Sequence, residues 1–243
     1  MKIYEAKNHI LIHTEDISPS QHSHMAAHII VSLGGRIEIQ SAGQKQFCYG
    51  GLVPAGQIHK VNTNNNGVLV FLYDCSTSIA KQIKNFQVIP DEICKTISNL
   101  YNTVKDSVNS DNYYSFEKEC LKLMGINCRE NCETDERIHS AITYIQQNLC
   151  EKISCGEVAN KVFLSQSRFS HLFKEKMGMT FSAYLIYQRL MYVYAGVIGG
   201  KSITTAALAA GFASSAHFAD VNRRVFGISA SNITANISFE KIR

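Results

Sequence analysis

Three histidines, His22, His24 and His28, are separated by even numbers of residues, and in a β-strand that parity sends all three imidazoles to one face. Imidazole nitrogens suit zinc, nickel or iron, so such a face can hold a divalent metal, line a pocket for a small effector, or hydrogen-bond within itself. A second concentration of chemistry lies far along the chain. Phe169, Leu172 and Phe173 recur at helical spacing, which turns Gln166, Ser167, Arg168, Ser170, His171 and Lys174 outward. Arg168 is the candidate for a bidentate contact to guanine, Ser167, Ser170 and His171 for lesser base contacts, and Lys174 for a phosphate. Ser165 or Ser167 can cap the helix and present backbone amides to a phosphate.

The elements that would position these side chains form two helix-turn-helix patterns in tandem. The first spans Val158 to Phe173, with Val158, Ala159 and Val162 as one apolar stripe and Leu164-Ser165 as the break. Ile203, Ala206, Ala207, Gly211, Phe212 and Phe218 repeat the pattern, and a long helix over Tyr184 to Ile198 joins the copies before Gly199 and Gly200 stop it. Two reading heads on one body can reach successive major-groove segments. Ile138, Ala141, Ile142, Ile145 and Leu149 add an amphipathic helix in front of them.

A chain of 243 residues, 45% apolar, suggests two domains with separate cores. Up to about Tyr73 it reads as short strands, among them His28–Leu33, Arg36–Gln40 and Val68–Tyr73, which suggests a small barrel or sandwich. Helices follow from about residue 78: Ile93, Ile97, Leu100, Tyr101 and Val104 mark one, and Tyr114, Lys118, Leu121 and Met124 a second. Their apolar faces either pack on the barrel or form a dimer contact. Residues 1–126 are thus a first domain, 127–134 a linker and 135–243 a second.

From Asp135 onward 12 Lys and Arg stand against 7 Asp and Glu, a net of +5, while the preceding part carries −1. Positive potential therefore sits where the reading heads are. The total of +4 is too small for a non-specific architectural DNA protein. No apolar run is long enough to span a membrane and MKIYEAKNHI is not laid out as a signal peptide, so a cytoplasmic protein is expected. The eight cysteines then read as buried apolar groups or free thiols.

The C-terminal residues resemble the AraC family of bacterial transcription regulators, whose DNA-binding domain is two helix-turn-helix units bridged by one helix. The likeness runs from about Ile138 to Ser231, through Leu164-Ser165-x-Ser167, Phe169 to Lys174, Gly178-Met179-Thr180-Phe181, Tyr184-Leu185, Arg189-Leu190, Gly211-Phe212, His217-Phe218 and Phe226-Gly227. It implies binding to double-stranded promoter DNA and recruitment of RNA polymerase, as in an activator. The second head departs from the pattern. Its recognition helix should turn Ser215, Ala216, Ala219 and Arg223 outward, but Asp220 stands where a basic or polar residue is usual. Asn222 replaces an inward aromatic and Ala230 a proline. Arg223 and Arg224 are expected to hold phosphates while this head reads bases weakly.

The front of the chain resembles the small cupin barrel that often precedes such a domain, through His22-x-His24, the glycine pair Gly34-Gly35, and Gly51-Leu52-Val53-Pro54-Ala55-Gly56-x-x-His59. That likeness brings His59 to the face of His22, His24 and His28, with His28 at the spacing of the usual glutamate ligand. The expectation is a two-domain α+β regulator: a cupin-like barrel with appended helices that senses a small molecule or condition, and an all-α tandem helix-turn-helix domain, acting as a homodimer without enzymatic activity. The rival is a metal-dependent cupin enzyme with a fused helical domain, whose turnover would need His22, His24 and His59.

Overall fold

The computed structural model describes residues 1–16, 21–23, 26–75, 77–127, 135–226 and 238–242. These gather into two compact units, the first taking residues up to 127 with 224–226 and 238–242, the second residues 135–223.

The first unit opens with β1 (Lys2–Glu5), β2 (His9–Thr14), β3 (Ala26–Ser32), β4 (Ile37–Ser41), β5 (Gln44–Cys48), β6 (Gly50–Val53), β7 (His59–Asn62) and β8 (Val68–Asp74). It continues through α1 (Ser78–Gln82), β9 (Gln87–Val88), α2 (Asp91–Val104) and α3 (Ser110–Leu123). Among the described residues six more helices make the second unit, the last with its first part only: α4 (Glu136–Gln147), α5 (Cys155–Lys161), α6 (Gln166–Met177), α7 (Phe181–Ile198), α8 (Ile203–Ala209) and α9 (Ser215–Phe226). The final strand, β10 (Ser238–Lys241), belongs to the first unit again.

The expected cupin-like barrel is not confirmed: among the described residues no sheet closes on itself. The strands divide into a seven-stranded sheet, ordered β10-β1-β2-β8-β3-β6-β9, and a three-stranded sheet, β5-β4-β7. β3 and β8 are central and covered on both faces, which is why AAHIIVS and VLVFLYD read as nearly continuous apolar runs. On one face Ile29, Val31 and Phe71 share a core with Ile97 and Tyr101 of α2 and Phe116 and Leu121 of α3. On the other, the His28 ring meets the His59 ring of the small sheet at 4.8 Å. β4 is half-covered, so Ile37, Ile39 and Ser41 are buried while Glu38 and Gln40 are only partly so.

The approach of α2 to the sheet requires Gly50. A Cβ there would stand 2.5 Å from the Ile30 carbonyl oxygen and 2.8 Å from Cys94 Sγ. The face of α3 differs from the expected one. Tyr113, Phe116, Glu117, Cys120 and Leu121 are buried, whereas Lys118 is exposed and Tyr114 and Met124 are half-buried. The apolar sides of both helices are therefore used inside the unit. Beneath them, Tyr73 donates to Glu117 Oε1 at 2.7 Å, and the His9 ring, stacked on Tyr73, lies 2.7 Å from the Tyr113 hydroxyl. Burial pushes the His9 imidazole below its ordinary range, with nearby Glu117 acting in the opposite direction.

β10 is a strand that the sequence reading does not assign. It pairs in parallel with β1 from Lys2↔Ser238 to Glu5↔Lys241, and the Ile242 N–H donates to the Glu5 carbonyl at 2.9 Å. Lys241 Nζ stands 3.1 Å from the Glu5 carboxylate. An edge strand with a nearly buried carboxylate is thus covered and neutralised by the far end of the chain.

Candidate nucleic-acid interface

Each helix of the second unit begins on a hydroxyl or carboxylate that accepts from the first turn: Asp135, Ser154, Ser165, Thr180 and Ser202 for α4 to α8. Ser154 and Glu157 form a reciprocal capping box, and Ser214 Oγ accepts from the His217 N–H at 3.0 Å at the start of α9. Such caps contribute about 1 kcal/mol each and fix where each helix begins. That decides which side chains face out.

In α6 the inward set is Phe169, Leu172, Phe173 and Met177. Phe173 lies 5.4 Å from Phe169, 5.9 Å from Phe181 and 5.4 Å from Tyr184, in tilted and edge-on pairs. This aromatic cluster locks the helix against α7. Facing away from it, Gln166, Ser167, Arg168, His171 and Lys174 are exposed and Ser170 is half-buried. The Ser170 hydroxyl is engaged, donating to the Gln166 carbonyl at 2.9 Å with Cys155 Sγ at 3.3 Å. Among the described residues no carboxylate pairs with Arg168 or Lys174, so both cations are available to an anionic ligand. The Ser165 hydroxyl is the cap, accepting from the Arg168 N–H.

The turn before α6 holds a residue that the sequence reading missed. Phe163 is 97% exposed and has a φ of +55°, a left-handed conformation that costs an aromatic residue about 1–2 kcal/mol. No glycine marks the turn, so only the spacing between α5 and α6 hints at it.

The second head is built differently. Ala206, Ala207 and Ala210 are fully buried, and Gly196 of α7 faces the Ala206 methyl, so α7 and α8 meet through small residues. Phe212 and Phe218 pack at 5.4 Å. Asn222 is completely buried, as its replacement of an aromatic suggested, and its Oδ1 accepts from the Tyr194 hydroxyl at 2.8 Å. Outside, Ala216, Asp220, Arg223 and Arg224 are exposed, and Ser215 and Ala219 are half-buried. Gly227 and Ala230 lie outside the described residues.

In the first unit, His22 and His59 exchange backbone hydrogen bonds at 2.9 and 3.0 Å with their rings 4.5 Å apart, and His28 closes on His59 from the larger sheet. His59 Nδ1 is 2.8 Å from the Gln57 carbonyl. Burial takes His59 down to about 4, so at neutral pH its ring is uncharged. Three of the four expected histidines therefore come together; His24 lies outside the described residues. Among the described residues no group of three or more His, Cys, Asp or Glu side chains is arranged to hold a metal ion. No helix among them is long and apolar enough to cross a membrane.

A family model described as a helix-turn-helix domain matches residues 158–236. Over 237 residues the chain is 28% identical to the probable transcriptional regulator LumQ of Photobacterium leiognathi, covering 90% of this chain and 93% of that protein. A stretch of 103 residues is 32% identical to the HTH-type transcriptional activator RhaS of Escherichia fergusonii, 41% of this chain and 36% of that one. In three dimensions the chain is similar to ToxT from Vibrio cholerae O395, with a TM-score of 0.50 at 12% identity over 92% of this chain and 95% of that chain. The shared fold is a sheet-rich N-terminal domain followed by a helical C-terminal one.

Proposed function

We propose, from the premise that the C-terminus carries an AraC-type helix-turn-helix domain, that this regulator of transcription reads its promoter chiefly with α6. The observation that supports this most is the division of that helix into an aromatic side fixed by Phe169 and Phe173 and an exposed side of hydrogen-bonding and cationic groups. Arg168 and the flanking Gln166, Ser167, Ser170 and His171 contact base edges, and Lys174 a phosphate. Arg223 and Arg224 hold phosphates for the second head, where Ser215, Ala216 and Ala219 offer little to a base.

The sheet-rich unit is the sensor. The histidines His22, His28 and His59 line the region where a small-molecule or environmental signal acts, by changing domain packing or the geometry of a homodimer. Recruitment of RNA polymerase and activation follow from the family resemblance and belong to the same proposal. Purified full-length protein, titrated onto genomic promoter fragments against a large excess of unrelated DNA, is the test. Retention of particular fragments that unrelated DNA does not displace supports the reading. Equal competition by any duplex contradicts it.

A further inference from the structure

Arg189 stands near the middle of α7 and touches the approaches to both heads. Its Nε donates to the Leu149 carbonyl at 3.3 Å and Nη2 to the Glu151 carbonyl at 2.7 Å, in the loop that leads from α4 into α5. On its other side lies Gly211, in the turn between α8 and α9. A Cβ on Gly211 would stand 3.3 Å from the Arg189 guanidinium carbon and 3.2 Å from the Cys150 carbonyl oxygen. The φ of +80° at Gly211 is also one that a side chain rarely adopts. A side chain at Gly211 would therefore crowd both the guanidinium and the Cys150 carbonyl.

The guanidinium is partly desolvated, which lowers its proton affinity. Among the described residues it has no carboxylate partner, so its two hydrogen bonds to carbonyls on either side of Cys150 hold it in place. A planar fork satisfies two carbonyls at a fixed angle; an ammonium on a flexible stem does not.

We propose that Arg189 is a positioning residue that sets the offset between the two reading heads, and hence the spacing of the two DNA segments the protein can hold at once. This rests on the DNA-binding reading above, although Arg189 itself touches no DNA. With the brace in place, both heads meet the duplex together, about one helical turn apart. Without it, the phosphate contacts of the second head are lost while those of the first remain.

The test uses full-length protein and the duplex that the wild type recovers from a random-sequence pool. Hydroxyl-radical footprints and salt titrations are compared for wild type, Arg189→Lys and Arg189→Met, with folding checked by thermal melting. The wild type is expected to protect two patches about one helical turn apart. In the variants the first patch stays, the second fades, and the slope of log K against log salt falls by about 0.9 for each phosphate released. Should Arg189→Met not fold, Arg189→Lys, which keeps charge and length, carries the comparison. Variants that protect both patches at the wild-type separation, with an unchanged slope, overturn the brace and leave DNA binding standing. A wild type that recovers no preferred duplex overturns the DNA-binding reading, and the brace with it.

Discussion

The two heads of the helical unit solve the same folding problem with different materials. The first buries a cluster of large rings, Phe169, Phe173, Phe181 and Tyr184, and the second sets the ring pair Phe212 and Phe218 beside methyls and a polar pair, Ala206, Ala207, Ala210 and Tyr194–Asn222. Outside, α6 displays Arg168, His171 and Lys174, while α9 displays Ala216 and Asp220 ahead of Arg223. The inward pattern is duplicated and the outward pattern is not. A repeated fold therefore does not imply a repeated function, because packing constrains one side of a recognition helix and leaves the other free to diverge.

The largest effect expected from this contrast is on stability. Phe173→Ala should cost about 3–5 kcal/mol, since a ring with three aromatic neighbours leaves a cavity that small residues cannot fill. Urea unfolding measures it, and a loss below 1 kcal/mol would mean that the first head is not held by its rings. Next comes Arg168→Ala, which should weaken binding to a selected duplex by about 1–3 kcal/mol, as for loss of one bidentate base contact. The matching change Arg223→Ala should lower affinity nearly uniformly over sequences and reduce the salt slope by about one. If both changes relax sequence preference equally, the two heads read alike.

Tyr194→Phe removes the donor to Asn222 Oδ1 and should destabilise by about 1–2 kcal/mol, seen as a lower melting temperature. Asn222→Leu in the Tyr194→Phe background should recover part of that loss, because an apolar pair leaves no buried polar group unmet. Phe163→Gly should raise stability by about 1 kcal/mol, since glycine adopts positive φ at little cost. The smallest effect is that of Asp220→Arg, which should strengthen binding a few-fold at low salt and less at physiological salt. Weaker binding by that variant would show that Asp220 makes a contact of its own.

Much of the helical unit is legible in its sequence, because helix starts and inward faces are local. Ser165, one of the two caps expected for α6, is the cap, and the spacing of Phe169, Leu172 and Phe173 fixes which side of α6 is exposed. The partner of Asn222 is less accessible to such reading, since Tyr194 lies 28 positions away on another helix. In the first unit, β4 announces itself by alternation and β3 and β8 by continuous apolar runs. What those strands do not reveal is whether the sheet closes, which depends on long-range pairing. β10 is the extreme case, a four-residue strand whose partner is at the opposite end of the chain. The face of α3 is misread because Tyr114 looks apolar while Glu117 looks exposed, yet Glu117 is buried by its hydrogen bond from Tyr73.

The central claim is that α6 carries the sequence preference of this protein. Selection of duplexes from a random pool by purified wild type and by Arg168→Ala, sequenced after several rounds, tests it most directly. The wild type should enrich a motif with a strongly preferred guanine, and the variant should enrich the same motif with that one position relaxed. An identical motif from both proteins, guanine included, would contradict the claim.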